Sequence, residues 1–412
     1  MGFQSGLSGL SVASRNLDVI GNNVANASVV GFKGATAQFS DVFSASSNGG
    51  GGMQIGIGAK VQSVAQSFDQ GNITPTRNPL DLAISGRGFF RLSDNGTTLY
   101  SRNGQFRLDN EGYIVNASGL NLTGYGVDAN GNIVNAAPSP LKFNTSDIPP
   151  RATSTFATSV NLDSRELEPS VTTFDQTDTR SFNFTTSGTT YDSLGNPHVL
   201  TMYFVRTATP GVYDVYGTND GGPTTDVDLG AGAGTPVQLT FDTTGQLTTA
   251  MPLNASVTLA NGAINPLDYT LDFTGSSNYG SVESVTAMSQ NGYTSGRLSG
   301  FDVSSVGVIV GRYTNGQSRD LGQVVLADFV NTQGLQSKGD NLWQDTVDAG
   351  LPLVSTPGSG TIGNLQSGAV EDSNVELTSA LFSIMTAQRV YQANAQTIKT
   401  QDAILQTIVN LR

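Results

Sequence analysis

Side chains that commonly perform catalysis or bind metals are scarce in this sequence. Its 412 residues include no cysteine and one histidine, His198. The lack of thiols excludes disulfides, zinc–thiolate sites, iron–sulfur clusters and cysteine nucleophiles. A single histidine also excludes a histidine-rich metal centre and argues against a Ser-His-Asp triad. We interpret Asn196, Pro197 and His198 as a turn before a strand, which would do chemistry only if carboxylates converged on it.

Carboxylates are the other groups that could do chemistry. The chain carries 33 Asp and Glu against 20 Lys and Arg, a formal net charge of −13. Residues 145–284 hold most of the excess and contain no lysine. Enzymes that hydrolyse glycosides use a pair of carboxylates. The carboxylates of this block are scattered in turns, so we expect no enzyme activity. We interpret the block as a solvated surface. Nucleic acid is excluded as a partner because phosphate binding needs clustered Lys and Arg.

No cofactor is expected. The glycine-rich stretch at residues 230–234 is not followed by Gly-Lys-Ser or Gly-Lys-Thr, which a phosphate-binding loop requires. Membrane insertion is not expected either, because no run of about 20 apolar residues occurs. The first residues lack the charged region, apolar core and cleavage site of a signal peptide, so we expect no cleavable leader.

The first 25 residues have the periodicity of a helix that packs along one seam. Apolar or small residues recur with alternating spacings of four and three, which is the pattern of a coiled coil. The positions are Phe3, Leu7, Leu10, Ser14, Leu17, Gly21 and Val24.

The last 40 residues repeat this periodicity. Ser373 and Glu376 fit a capping box, and no glycine or proline follows up to residue 412. Gln388 and Asp402 interrupt the apolar seam, so the helix is only weakly amphipathic. The seam positions are Leu377, Leu381, Ile384, Gln388, Tyr391, Ala395, Ile398, Asp402, Leu405 and Val409.

Such helices are marginal alone, because most helix stability comes from packing. Two interpretations are open. The ends could form one intramolecular helical hairpin, or they could need neighbouring chains to bury their apolar faces.

Between the ends the sequence predicts β-structure. Short apolar runs alternate with turn signals such as Asn103-Gly104 and Asp109-Asn110-Glu111-Gly112. The order of segments, helix, β, acidic β, β and helix, predicts domains nested within one another. The fold class is therefore multi-domain and mainly β, with barrel- or sandwich-like domains and long terminal helices that form a coiled-coil-like domain. The predicted domains are 1–28 with 366–412 for polymerisation, 29–70 as a connecting segment, 71–144 with 285–365 as an inner β domain, and 145–284 as an outer acidic β domain.

A motif follows the first helix. Residues 22–33 resemble the N-N-x-A-N-x-x-T-x-G-[FY]-K signature of the rod and hook proteins of the bacterial flagellum, with Val29 where the family has Thr. Asn favours turns and helix ends, so we interpret the run as a helix terminator, with hydrogen bonding between subunits as a second, compatible role. The signature positions are Asn22, Asn23, Asn26, Gly31, Phe32 and Lys33.

Further segments support this resemblance. Residues 80–90, 100–106, 368–375 and 387–412 are similar to the same family. We interpret Tyr100, Arg102 and Phe106 as a hairpin with core aromatics, and Trp343 as a core residue. The block 145–284, with Tyr-Asp-Ser-Leu-Gly-Asn-Pro-His at 191–198, is similar to hook members; rod members lack a large outer domain.

The resemblance implies a structural polymer subunit, exported unfolded and outside the cell as part of the flagellar hook. A hook is a curved tube that passes motor torque to the filament as a universal joint. The alternative is a distal rod or hook-associated junction protein. Implied partners are further copies of the chain, the distal rod protein, the hook cap protein, the hook–filament junction protein and the export apparatus. Within the tube, an inner layer of helices would contain Phe3, Leu7, Leu10, Leu17, Val24, Leu377, Leu381, Ile384, Tyr391, Ile398, Leu405 and Val409.

Overall fold

The chain is helical at both ends and mainly β between them, as predicted. A computed structural model describes residues 2–42, 56, 58–128, 131–143 and 146–410. Helix α1 spans Gly2–Ala25. The strands that follow are β1 (Ala35–Val42), β2 (Gly58–Gln66), β3 (Ile73–Pro75), β4 (Leu82–Ser85), β5 (Phe89–Asp94), β6 (Thr97–Ser101), β7 (Arg107–Leu108), β8 (Ile114–Val115), β9 (Asn121–Tyr125) and β10 (Ser139–Pro140).

The middle of the chain contributes longer strands and a 3₁₀ turn at Thr224–Asp226. These strands are β11 (Thr155–Asn161), β12 (Phe184–Tyr191), β13 (Pro197–Arg206), β14 (Val212–Asn219), β15 (Val227–Asp228), β16 (Val237–Thr240), β17 (Leu253–Val257), β18 (Leu267–Asp272) and β19 (Ser284–Gln290).

The last part of the chain returns through short strands to helix α2, Leu377–Asn410. Two 3₁₀ turns lie at Thr332–Gly334 and Val347–Ala349. The strands are β20 (Leu298–Val303), β21 (Val308–Tyr313), β22 (Ser318–Val324), β23 (Leu326–Asp328), β24 (Gln336–Gly339), β25 (Leu342–Gln344), β26 (Leu353–Ser355), β27 (Asn364–Ser367) and β28 (Ala369–Glu371).

The start of α2 differs from its prediction. The capping box at Ser373 is wrong, because α2 begins at Leu377 and the Ser373 hydroxyl accepts the N–H of Val375 at 3.2 Å. Asn374 is drawn away from the helix by hydrogen bonds to the β-structure, beginning with the N–H of Gly34. This tertiary contact outweighs the local capping preference.

The chain folds as two compact units. The first unit comprises Met1–Thr145, Gly300–Arg312 and Ser318–Arg412, and the second comprises Ser146–Ser299 and Tyr313–Gln317. Strand β19 belongs to the second unit and pairs with β11, beyond the predicted domain end at residue 284.

The second unit has two sheets, ordered β15-β17-β18-β11-β19 and β12-β13-β14-β16. Alternate residues of β13 point inward, as period-two alternation in a half-buried strand requires. Inward side chains of both sheets form one core, including Phe156, Met202, Phe204, Val215 and Leu271.

The first unit contains a 13-stranded sheet whose main path is β20-β21-β22-β9-β5-β6-β25-β24. Strands of the second half of the chain thus pair with strands of the first half; β25, for example, pairs with β6. An aromatic cluster fills the core beneath this pairing, with Tyr100 and Trp343 each 1% exposed. Its rings meet edge to face, which is a favoured aromatic geometry. The prediction that Tyr100, Phe106 and Trp343 are core residues is confirmed.

Candidate functional site

The terminal helices pack against each other in antiparallel orientation through small side chains. A Cβ on Gly6 would lie 3.1 Å from Ile398 Cγ1, and a Cβ on Gly9 would lie 2.6 Å from Asn394 Oδ1. Ala13 and Ala387 are also buried. The absence of large side chains at these positions lets the two helices approach closely.

The predicted seam residues lie mostly outside this contact. Leu10, Leu17, Val24, Ile384 and Ile398 are partly buried. The side chain of Val409 lies outside the described residues. Exposed on the surface of the single chain are Phe3, Leu7, Leu377, Leu381, Tyr391 and Leu405.

The signature asparagines hold the end of α1. Asn23 forms two hydrogen bonds with the backbone of Ala35, to its carbonyl at 2.7 Å and from its N–H at 2.9 Å. The Asn26 amide donates to the Asn22 carbonyl at 2.9 Å. These contacts fix the helix end against the start of β1.

Gly31 turns the chain back after this helix end. Its φ is +72°, a conformation that favours glycine, and a Cβ there would lie 2.5 Å from the backbone nitrogen of Asn103. Its N–H donates to the Glu371 carbonyl at 2.7 Å. Phe32, the next signature residue, is partly buried.

Lys33 ends the signature and lies in a buried ion cluster with Glu371 and Arg102. Lys33 Nζ is 2.7 Å from Glu371 Oε1, and both side chains are fully buried. Arg102 Nη1 lies 3.7 Å from Glu371 Oε2. Glu371 also accepts the N–H of Gly71 at 2.9 Å, and Lys33 donates to the Asp69 carbonyl at 2.6 Å. The cluster therefore joins the N-terminal signature, the β-structure and the strand before α2.

Burial sets the electrostatics of this cluster. Desolvation lowers the pKa of Lys33, and the attraction of Glu371 opposes that shift. Desolvation also lowers the pKa of Arg102, again opposed by Glu371. One carboxylate thus compensates two buried cations, so its removal would leave both in a medium that solvates charge poorly.

Asn374 makes a second connection between the base of α2 and the rest of the unit. It accepts the N–H of Gly34 at 2.8 Å and donates to the carbonyls of Ser67 and Asp69 at 2.9 and 3.1 Å. Together, Asn374 and the ion cluster fasten the ends of both helices to one loop, residues 67–71.

The charges continue from the cluster toward solvent. Burial lowers the pKa of Arg102, and the nearby charge of Asp328 opposes this shift. Asp328 also lies 3.6 Å from the exposed Arg87. A cavity of about 500 Å³, lined by these three residues among others, opens beside them. Charges of opposite sign therefore alternate from the buried lysine to the surface.

In the second unit, carboxylates do converge on His198. Its Nδ1 is 2.7 Å from Asp220 Oδ2 and its Nε2 is 3.3 Å from Asp192 Oδ2. Asn196 and Asn261 also donate to Asp192, and these bonds outweigh burial and lower its pKa. Because both ring nitrogens face carboxylates, neither faces a nucleophile, and the arrangement fixes a turn. In the part of the chain that the structure describes, no three His, Asp or Glu side chains are placed so that they could hold one metal ion.

Sequence reasoning missed the ion cluster. The sequence places Lys33 in a signature and Arg102 in a hairpin, and it indicates no role for Glu371. The available signal is that Lys33 and Glu371 each follow a run of apolar or small residues, as in Ala369-Val370-Glu371.

Family models cover most of the chain. The Flagella basal body rod protein model matches residues 3–33, and the Flagellar hook protein FlgE/F/G D1 domain matches 83–189. The Flagellar basal body protein FlaE D2 domain matches 161–293, and the Flagellar basal body rod FlgEFG protein C-terminal model matches 366–411. Over its whole length the chain is 41% identical to flagellar hook protein FlgE of Escherichia coli K12, covering 100% of both sequences. The chain belongs to the flagellar hook protein family.

Other members of the family agree. The Salmonella typhimurium hook protein is also 41% identical over 100% of both sequences, and the Treponema pallidum hook protein is 30% identical over 99% of this chain and 98% of that sequence. The crystal structure of Helicobacter pylori flagellar hook protein FlgE2 is similar in fold, with a TM-score of 0.52 at 16% identity. The match covers 72% of this chain and 100% of that one. Among the described residues, neither helix combines the length and hydrophobicity that crossing a bilayer requires.

Proposed function

We propose that this chain is the structural subunit of a bacterial flagellar hook, which polymerises into a curved, flexible tube and passes motor torque from rod to filament. The observation that supports this most strongly is the full-length match to hook proteins, which includes the second unit. A distal rod or junction protein is the alternative, and the resemblance disfavours it because rod members lack a large outer domain.

The terminal segments, 1–28 with 366–412, are the proposed polymerisation domain. Several seam residues are half exposed in one chain, as with Phe3 at 46%, Leu381 at 52% and Leu405 at 53%. Burial of such side chains against neighbouring copies stabilises an assembly by about 1.5–3 kcal/mol for each fully buried side chain. A coiled-coil-like inner layer of helices would then resist twisting.

The ion cluster and Asn374 would transmit torque within each subunit. The proposed path runs from the helices through the connecting segment, 29–70, to the inner β domain, 71–144 with 285–365. Because the ion cluster is buried and charged, it would hold the C-terminal end of α1 and the N-terminal end of α2 in one position. The outer acidic domain, 145–284, would provide surfaces rich in Thr, Ser and Gly, whose polar contacts can slide as the tube bends.

The remaining parts of the proposal follow from membership of the family. The chain would be exported by the flagellar apparatus without a cleaved signal peptide and would act outside the cell. Its partners would be further copies of itself, the distal rod protein, the hook cap protein and the hook–filament junction protein. Neither a cofactor nor nucleic acid has a part in this function.

Electron microscopy of the purified chain under polymerising conditions tests the proposal. We expect curved tubes from the full chain and soluble monomers from a variant lacking residues 1–25 and 373–412. Straight rigid tubes would favour the rod alternative. Polymers from the truncated chain would refute assembly through the terminal helices. Addition of preformed hook fragments as seeds separates failure to nucleate from failure to elongate.

A further inference from the structure

Three aliphatic side chains project from two neighbouring loops of the first unit, and a fourth lies at the start of β26. Val330, Val347 and Leu351 are 94%, 98% and 91% exposed, and Leu353 is 59% exposed. We call these four residues the loop knob. Single exposed aliphatic residues are common on protein surfaces, but a group held in one place is typical of an interaction site.

Hydrogen bonds between the loops hold the loop knob in place. The Asn331 side chain donates to the Asp348 carbonyl at 3.0 Å, and its backbone N–H donates to the Ala349 carbonyl at 3.4 Å. Ala349 is fully buried and anchors the second loop in the core. These bonds fix the backbone that carries the knob, which reduces the entropy lost on docking.

An apolar groove of about 500 Å³ lies between α1, β1 and α2 of the same unit. Its lining includes Phe39, Phe382 and Val390, which are 38%, 67% and 49% exposed. We call it the helix groove. Phe382 and Val390 are not among the predicted seam residues, so the groove is a face of α2 additional to the seam.

The loop knob and the α2 side of the helix groove carry charges of opposite sign. The loop knob is flanked by Asp345 and Asp348, both exposed. Between residues 377 and 401, helix α2 carries Arg389 and Lys399 and no acidic residue. Copies with a net charge of −13 repel one another, so contacts between them need apolar burial and such local complementarity.

We propose that the loop knob of one copy docks into the helix groove of a second copy. This inference rests on the proposed polymeric function and assigns it a particular contact. Because the two surfaces are different, the contact is heterologous and adds copies without closing on itself, as an open helical tube requires.

A disulfide between copies tests the contact directly, because the natural chain has no cysteine. We expect a chain with both Val347→Cys and Phe382→Cys to form a ladder of covalent oligomers when its polymer is treated with an oxidant. Each single variant should form at most dimers. A polymer of the double variant that yields no ladder would overturn the inference while leaving the proposed function intact. If the natural chain forms no polymer even with seeds, that result would refute the proposed function itself.

Substitutions give an independent test that does not depend on oxidation. Val347→Ser and Leu351→Ser should each raise the critical concentration for assembly about tenfold, without changing monomer unfolding, because the side chains are exposed. Ile264→Ser is the matched control, since that side chain is 75% exposed in the second unit. Asp348→Arg should weaken assembly, and Arg389→Asp on the same chain should restore it. Equal effects of all three serine variants, or no rescue, would refute the contact.

Discussion

Glu371→Gln is the substitution that most directly tests the fastening of the helices. It keeps the shape of a fully buried side chain that accepts hydrogen bonds from Lys33 and Gly71. It removes the charge that compensates both Lys33 and Arg102. Removing one partner of a buried ion pair costs about 3–5 kcal/mol, because the remaining charge stays buried.

A second substitution separates charge from packing. Lys33→Met alone leaves the carboxylate close to Arg102, and we expect it to cost about 1.5–3 kcal/mol, the value of a hydrogen bond to a charged group. Adding Glu371→Gln to Lys33→Met removes both charges of the closest pair. The double variant should therefore be more stable than Glu371→Gln alone, in contrast to a simple sum.

Trp343 provides the assay. It is the only tryptophan, it is 1% exposed, and its indole N–H donates to Gln66 at 2.9 Å within the first unit. Its fluorescence during urea unfolding reports the stability of that unit. At an m-value of about 2 kcal/mol/M, Glu371→Gln should lower the midpoint by about 2 M.

The control is Arg312→Met, which removes a largely exposed ion pair with Asp302 at 3.1 Å in the same unit. It should change stability by at most about 0.5 kcal/mol. Two results would refute the role of the buried cluster in holding the helices. One is that Glu371→Gln loses no more stability than this control. The other is that the double variant loses as much stability as the two single variants added together.

Three further predictions concern single positions. Gly31→Ala should lower the free energy of urea unfolding by about 2 kcal/mol or more, because the positive φ and the contact with Asn103 oppose a Cβ. Gly21 has open space around it, so Gly21→Ala should stabilise α1 by about 0.5–1 kcal/mol. Asn374→Ala should cost about 2 kcal/mol in the same assay, because the Gly34 N–H and the Ser67 carbonyl lose their side-chain partner, while the Asp69 carbonyl keeps its bond from Lys33. The pKa of Asp192 is lowered in the fold, so its stabilisation is present above pH 4 and lost as pH falls; thermal unfolding of Asp192→Asn should therefore depend less on pH between 4 and 2.

Local features of the fold could be predicted from the sequence because local sequence specifies them. The four-and-three spacing indicates both helices, and turn signals indicate strand ends. At Asp109, for example, the carboxylate accepts the N–H groups of Glu111 and Tyr113, and Gly112 has a φ of +87°. Such a turn needs only residues that are adjacent in the chain.

Long-range pairings could not be predicted in this way. Apolar periodicity shows which helix face avoids water but not what covers it, so it does not predict the contact of Gly6 and Gly9 with α2. Lys33 pairs with a residue 338 positions away. No local rule connects two charges at that separation, and a lysine after an apolar residue is common on surfaces.

That separation also determines when the subunit can become complete. Closing a loop of 338 residues costs about 5 kcal/mol of chain entropy, so the lysine–glutamate contact depends on earlier folding of the β-structure between its ends. A chain interrupted anywhere before Glu371 lacks the partner that buries Lys33, whichever end emerges first. The attachment of α1 to the β-structure is therefore among the last steps in the folding of a new chain. A truncated chain cannot hold both helices in the positions that they have in the complete subunit.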